Sequence, residues 1–550
     1  MRENWTRVLV GVVVCFLSVG FLWVLRLAPV NVPGQPAPTP DVLSPEPFAG
    51  WDTPKMAIVL SGQNYGYIMP CGCSQPQYGG LARRYNFVES LKKKGWPVVA
   101  FDLGDVPGKR SSPQRKLKYE YAMKALSVIG YRAVTIGKLE SDIDSLLEYT
   151  LNHQEPPVVV ANFAPDSDID QLNLTKPWKL VEGEKHPPIA VMGMIGADTQ
   201  QRINNPLFQF FDKGERPNAT IIRQTLMSMG RKTAGKAPVT ILLYQGDFTG
   251  AKACAQFCAQ ERLRNPKFPR LDVILCNSDK HTAEPPETPL RVEGTPTQII
   301  RAGHKGKYVG VLGVFAHPRK ARHYTFRYQL ALLSPKYQPT KEDVVRNKVV
   351  DVFSEYAKIV KERNLIVKWP SSRHSTQVAL EPKLKPSFVG SKRCRGCHRP
   401  AYKIWKDSAH YHAFDTLVDL NDKPHEYPPH REHDAECVKC HVVGFEHTTG
   451  YRDMLTAGEK MKFRLEALKG VGCESCHGPC SMHVEDPQNK AFHPLINPWK
   501  AQPGMSPEAE RKRKLKIDVF CQNCHDQEND VNWKFEKRWP KIIHMTPKDE

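Results

Sequence analysis

The chain is short of negative charge: 58 Asp and Glu stand against 78 Lys and Arg, a formal net charge of +20 over 550 residues. A surplus of that size suits an anionic partner, and nucleic acid is one such class. No nucleic-acid-binding motif accompanies the charge, which therefore points to acidic proteins or an anionic membrane surface, or simply to solubility. Also missing is a small-residue A-x-A cleavage site after the apolar run at 8–25, which follows Arg2 and Arg7. About 18 apolar residues suffice to span a bilayer as a helix, and that is long for the core of a cleaved signal. The expectation is an N-terminal membrane anchor over 1–28, with Arg2 and Arg7 on the cytoplasmic side. A cleaved signal is the alternative, and either version exports the chain. With 25% charged and 40% hydrophobic residues the composition is that of a folded protein, long enough for two or three domains.

Cysteine is plentiful, and its placement carries chemistry. Eight of the 15 cysteines fall in four C-x-x-C-H motifs: Cys394/Cys397/His398, Cys437/Cys440/His441, Cys473/Cys476/His477 and Cys521/Cys524/His525. Two thiols at this spacing form thioethers to the two vinyl groups of one haem, and the adjacent histidine lies under the iron as proximal ligand. Repeated C-x-x-C pairs also build structural zinc sites. Zinc does not require a histidine directly after every second cysteine, and all four pairs have one. The motifs therefore imply four covalently bound haem c groups and no non-haem metal. About eight propionates would bring the holoprotein nearer +12.

Residues 29–54 are rich in proline and read as a stiff spacer. From 55 to 335, short apolar runs alternate with helical stretches. Strands are expected at 57–60, 97–101, 133–136, 157–161, 189–194, 239–244, 272–276, 308–315 and 324–333. Between them Leu81, Tyr85, Val88 and Leu91 recur at helical spacing, as do Leu117, Tyr121, Ala125 and Val128. Such alternation argues for an α/β domain. Thr340, with Glu342 and Asp343 behind it, reads as the start of a helix with one apolar face, and 370–386 as a loop within a 336–386 connection.

Over 55–335 the chain resembles the 5′-nucleotidase-like, calcineurin-type metallophosphatases, which implies a four-layer αββα sandwich. In that family a G-D-x-H-G turn, a G-D, a G-N-H-E and two later histidine motifs hold two divalent metals that activate water against a phosphoester. Here the corresponding places read Gly62-Gln63-Asn64-Tyr65-Gly66, Gly104-Asp105, Gly137-Lys138-Leu139-Glu140, Gln245-Gly246 and Asn277-Ser278-Asp279-Lys280. Gln, Tyr and Lys cannot hold a dinuclear centre at neutral pH, and Lys138 and Lys280 would repel the ions. The resemblance thus implies a retained fold with a lost metal site, and an active metal-dependent phosphoesterase is the lesser alternative. Cys71, Cys73, Cys254, Cys258 and Cys276 are expected to pair as disulfides in an oxidising compartment, a replacement metal or cluster site being the alternative. With Cys15 and Cys480, seven cysteines lie outside the haem motifs, so at least one stays free or bridges to another chain.

Residues 387–550 are too few to bury much beyond four macrocycles, so a mainly α, haem-packed core is expected, with irons close enough for electron hopping. This region is similar to the cytochrome c-554 family of tetrahaem cytochromes. Val389-Gly390-Ser391 precede the first motif, and Trp405 with Ser408-Ala409-His410 stands at the family's W-x-x-S-x-H. The run Gly470-Val471-Gly472-Cys473-Glu474-Ser475-Cys476-His477-Gly478-Pro479 with His483 is the most specific piece. The resemblance implies distal iron ligands at His410, His483 and His544 and one haem with an open axial position; whether the fourth iron, that of His441, has a sixth ligand decides the chemistry. His412, His425, His430, His433, His447 and His493 remain as spare imidazoles. The whole reads as an exported cytochrome that passes electrons to redox partners, acidic ones included. The alternative is a haem oxidoreductase acting on hydroxylamine or nitric oxide at an open iron.

Overall fold

The structure is a computed structural model. It describes residues 47–544 except 71–75, 110–111, 143–154, 165–174, 206–208, 211–218, 235, 237, 279–283, 320–322, 344–345, 381, 423–427, 527–528 and 531. Among the described residues no helix is long and apolar enough to cross a membrane. The expected anchor at 1–28 lies outside them.

The N-terminal half is built from strands β1 Met56–Ser61, β2 Val98–Asp102, β3 Tyr131–Val134, β4 Phe163–Ala164, β5 Trp178–Gly183, β6 His186–Ile195 and β7 Gln209–Phe210. It continues with β8 Val239–Gln245, β9 Val273–Cys276, β10 Leu290–Arg291, β11 Gln298–Ile300, β12 Tyr308–Ala316 and β13 Tyr324–Leu332. One mixed sheet has the order β13-β12-β1-β2-β3 and a second the order β10-β11-β9-β8-β6-β5; β4 and β7 form a small ribbon. Alternate residues of each strand meet between the sheets: Met56, Ile58 and Leu60 of β1 and Val99 and Phe101 of β2 pack with Ile189, Val191, Ile241, Leu243, Val273 and Leu275. The other face of the second sheet (Ala190, Met192, Met194, Leu242, Ile274) is covered by helices α1 Ala219–Lys232 and α2 Phe248–Arg264. With both faces buried, β8 is apolar along most of its length, and it reads VTILLYQ. Helices Leu81–Lys93 and Arg115–Ile129 flank the first sheet, and Lys348–Glu362 packs on both of them. This is the four-layer αββα arrangement.

Several expectations change. Residues 157–161 make only isolated bridges, Val158 to Val134 and Val159 to Lys176, since Pro157 has no N–H to donate to a ladder. The edge strand β5 and the three-residue β11, which lies between β10 and β9, carry no clear alternation in the sequence. The helix expected from Thr340 begins at Lys348: the Asn347 side chain accepts from Val349 N at 3.1 Å, and its amide donates to Ala82 O at 2.9 Å. The 370–386 connection contains a helical turn, Ser375–Leu380. Cys254, Cys258 and Cys276 are free, buried thiols and not disulfides. They serve as small apolar side chains in the layer under α1 and α2, and burial pushes Cys258 and Cys276 up to about 12. Cys71 and Cys73 lie outside the described residues.

The C-terminal region is a set of short helices and loops, its longest helix being Pro507–Cys521. It has more apolar core than expected: Phe388, Phe414, Leu417, Val438, Val442, Val443, Phe445 and Leu465 cluster with Ile366 and Trp369, which the connecting segment supplies.

Inside the sandwich, Arg84 is a buried cation on its helix. Its guanidinium donates to Ser61 Oγ and Tyr131 Oη at 3.1 Å and stands 3.7 Å from Asp102, whose carboxylate also accepts from Ser61 at 2.5 Å. Removing one partner of a buried pair strands the other in low dielectric. Arg84→Ala is expected to lower the stability of this half by about 3 kcal/mol, read by denaturant unfolding; a loss under about 1 kcal/mol would mean that Asp102 is satisfied without it.

Candidate functional site

Each C-x-x-C-H motif occupies about one helical turn. Cys437 lies in Ala435–Val438, which Asp434 caps through Glu436 N; Cys473–His477 is a helix; Cys521 ends the helix Pro507–Cys521. His398 N donates to Cys394 O at 3.0 Å and His525 N to Cys521 O at 2.9 Å. One turn brings cysteines at i and i+3 to a common face with the histidine beside them.

Three of these histidines face a second imidazole. The ring centroids are 6.1 Å apart for His398 and His483, 6.0 Å for His525 and His410, and 5.9 Å for His477 and His544. A ligating imidazole nitrogen sits about 2 Å from its metal and the ring centroid about 1 Å further back, so two axial imidazoles on one iron stand about 6 Å apart. The donor sets fit that group. Among the described residues no such ring stands opposite His441. Of the spare histidines, His447 packs on His374 and Phe388, His412 meets Asp415, His430 and His433 flank Glu432, and His493 packs on His483. His425 lies outside the described residues.

Protonation suits ligation. Nδ1 of His477 donates to Ile496 O at 2.7 Å, Nδ1 of His441 to Ala413 O, and Nδ1 of His525 to Asp530 Oδ2 at 2.9 Å. Carbonyl and carboxylate oxygens only accept, so these rings carry their proton on Nδ1 and leave Nε2 with its lone pair. Burial lowers His398, His441, His477 and His483, and takes His410 down to about 4 with help from nearby His525. The rings are neutral at pH 7.

The four motifs are also neighbours. The thiols of Cys394 and Cys473 are within hydrogen-bonding reach of each other, as are those of Cys440 and Cys524, and Cys476 feels the charge of Cys521. The motifs therefore line up in the order first, third, fourth, second. Side chains other than the motif cysteines and histidines hold them there. The buried Glu474 carboxylate accepts from Val389 N, Gly390 N and Cys480 N at 2.7–2.9 Å, tying the approach to the first motif to the exit from the third. Trp405 Nε1 donates to Val471 O at 2.8 Å, and Val471 N to His410 O at 2.9 Å. The tryptophan of W-x-x-S-x-H thereby positions its histidine. Sequence reasoning missed Asp530 and Arg431, which belong to no motif.

Arg431 joins the two halves. Buried, it donates to Cys437 Sγ at 3.1 Å and to Met69 Sδ of the sandwich at 2.9 Å. Around it Gln114 Nε2 donates to Tyr356 Oη at 2.6 Å and Asp434 Oδ1 at 2.9 Å, and Lys118 pairs with Glu436 at 2.5 Å.

The positions that hold metal ligands in the phosphatase pattern lie at the C-terminal ends of β1, β2, β3, β8 and β9, where hydrogen bonds link them. Gln63 accepts from Ser278 N at 2.6 Å and donates to Tyr65 Oη at 2.7 Å; Asp105 accepts from Leu139 N at 3.0 Å; Gln245 donates to Leu103 O at 2.7 Å. Lys138 pairs with Asp142 at 2.9 Å. Asp279 and Lys280 lie outside the described residues. Gln63, Tyr65 and Asp105 keep left-handed backbones (φ 52°, 53° and 53°), rare for non-glycine residues. Gly104 beside them has φ 83°, and a Cβ there would strike Thr135 O. Burial raises Asp105, and burial with the Asp105 charge raises Glu140 to about 8.

The profile of the family described as "Cytochrome c554 and c-prime" matches residues 393–478. A 153-residue stretch, 27% of the chain, is 30% identical to cytochrome c-554 of Nitrosomonas europaea and covers 61% of that protein. A 269-residue stretch, 44% of the chain, is 25% identical to the snake venom 5′-nucleotidase of Gloydius brevicauda and covers 40% of it. The chain thus spans about three fifths and two fifths of these relatives. Among solved structures, a 5′-nucleotidase precursor from Thermus thermophilus aligns with a TM-score of 0.42 at 18% identity, over 58% of this chain and 60% of that one. A calcineurin-like phosphoesterase of Bacillus subtilis aligns with a TM-score of 0.41 at 16% identity, over 55% and 97%. The C-terminal region resembles the cytochrome c-554 family and the N-terminal region the 5′-nucleotidase-like metallophosphatases.

Asp105 and Glu140 share a buried site, which sets a pH dependence. An acid whose folded pKa is raised is stabilised in its protonated form, so its contribution is most favourable below the unfolded value of 4.5 and declines as pH climbs toward 8. Asp105→Asn removes the second charge and keeps the acceptor for Leu139 N. It is expected to stabilise the sandwich at pH 8 by about 1 kcal/mol, roughly 2–4 °C in Tm, and to have no effect near pH 4. Thermal unfolding at both pH values checks this; an equal shift at both would place the effect elsewhere.

Proposed function

We propose that the chain is an exported, membrane-anchored cytochrome carrying four covalently bound haems, which transfers electrons outside the cytoplasm. Its phosphatase-like sandwich then acts as a docking and structural module without hydrolysis. The observation that supports this best is the set of three facing imidazole pairs, each joining the histidine of a C-x-x-C-H motif to one of His410, His483 and His544 across about 6 Å. In this reading Cys394, Cys397, Cys437, Cys440, Cys473, Cys476, Cys521 and Cys524 form the thioethers. His398, His441, His477 and His525 are the proximal ligands, and His483, His410 and His544 close the first, fourth and third irons. When bound, each haem supplies a one-electron couple. The protein's part is to hold neutral imidazoles with Nε2 free and to keep neighbouring sites in contact. Its basic surface suits an acidic redox partner.

A second reading is favoured by His441, which donates through Nδ1 to Ala413 O and faces no second imidazole among the described residues. An open position there would bind a small nitrogen species such as hydroxylamine or nitric oxide, making the protein an oxidoreductase. Arg431, held between Cys437 and Met69, puts a buried positive charge beside that site.

Low-temperature EPR of the intact oxidised protein tests both readings. Three low-spin centres and one high-spin centre are expected; four low-spin centres would close the second site and leave electron transfer alone. His410→Ala, His483→Ala and His544→Ala are each expected to convert one further haem to high spin. A variant with an unaltered spectrum removes that histidine from the ligand set.

A further inference from the structure

The fourth C-x-x-C-H site differs from its neighbours in what its histidine leans on. His441 and His477 donate through Nδ1 to neutral backbone carbonyls, those of Ala413 and Ile496. His525 donates instead to a carboxylate, Asp530 Oδ2 at 2.9 Å, and the Asp530 side chain is only 8% exposed. The other oxygen, Oδ1, is buried and has no hydrogen-bond partner among the described residues. The charge is therefore directed at the imidazole and not dispersed over other donors.

The surroundings lock this geometry. Trp533 lies flat on the His525 ring, centroids 4.5 Å apart and planes 19° apart, and its indole N–H donates to Asp518 Oδ1 at 2.8 Å. Asp530 N donates to Asp526 O at 2.8 Å, and Trp533 N to Asp530 O at 3.0 Å, so the turn that carries the carboxylate is itself tied. The pair cannot rotate apart without breaking these bonds.

Building on the haem reading above, we infer that Asp530 is a positioning residue that makes the fourth site more reducing than the second and third. A carboxylate on Nδ1–H pulls the proton and pushes electron density onto Nε2, which makes the ring a stronger donor and favours the more positive iron state. Burial strengthens the effect, because low dielectric leaves the carboxylate charge poorly screened. The fourth motif stands between the third and the second in the array. A strongly reducing site there would make electron passage from the fourth site to the second downhill, toward His441, which faces no second imidazole among the described residues.

The test is potentiometric titration of the full-length holoprotein, after its haem number has been read by mass. Asp530→Asn removes the charge but keeps an acceptor oxygen, and Asp530→Glu keeps the charge. In Asp530→Asn one of the four potentials is expected to rise by at least tenfold in the reduction equilibrium, about 59 mV for one electron. The g values of one low-spin haem should move with it, the same haem that His410→Ala converts to high spin. The Glu variant should stay nearer the wild type. Four retained haems with four unchanged potentials overturn the inference, as does a Glu variant indistinguishable from Asn. If Asp530→Asn loses a haem, the neutral Asp530→Ser takes its place with the same two outcomes. Fewer than four haems in the wild type would strike the functional reading itself, a separate failure.

Discussion

Three pairs of imidazoles in the C-terminal region stand about 6 Å apart, ring to ring, the spacing that two ligands of one iron would need. Strands could set it through a ladder, but this region has none of any length. It relies on side chains that bond to backbone. The Glu474 carboxylate gathers three N–H groups from two segments, and Trp405 grips the carbonyl of Val471, whose own N–H bonds to the carbonyl of His410. Buried charge-assisted bonds of this kind are stronger than neutral ones and costly to leave unmade, which suits loops that must not drift.

The sandwich shows the opposite economy. Its regular elements stand on a two-sided apolar core and need no metal for their shape, so the ligand positions could change while the fold stayed. Gln63 bonds to Tyr65 and to the backbone N–H of Ser278, and the Gln245 amide donates to the carbonyl of Leu103. The left-handed backbones at Gln63, Tyr65 and Asp105 persist all the same. Such conformations survive only where the surroundings over-determine them, and here Gln63 N bonds to Gly104 O and Tyr65 N to Asp105 O, tying the two turns together.

The two halves meet at the second motif. Gln114, Lys118 and Met69 of the sandwich engage Asp434, Glu436 and Arg431, and Arg431 touches Cys437. Among the described residues, the motif whose histidine faces no second imidazole is thus also one that the sandwich touches.

Much of this was legible along the chain. The strands of the two sheet centres follow from apolar runs, because both of their faces are buried, whereas β5 at the margin and the three-residue β11 carry no such signal. The start of the Lys348 helix was misjudged, because its cap is decided by Asn347 reaching Ala82 from far off in the chain. Residue type and local spacing determined the four C-x-x-C-H turns, since one helical turn is all that brings two thiols and a ring together. They also determined the loss of the phosphatase ligands, which is a matter of side-chain identity. Only the tertiary structure decided which histidine faces which, that His441 faces none among the described residues, and that Asp530 lies under His525. The facing pairs join segments distant in sequence, and although Asp530 follows His525 by only five residues, no periodicity or motif records the packing that brings either relation about.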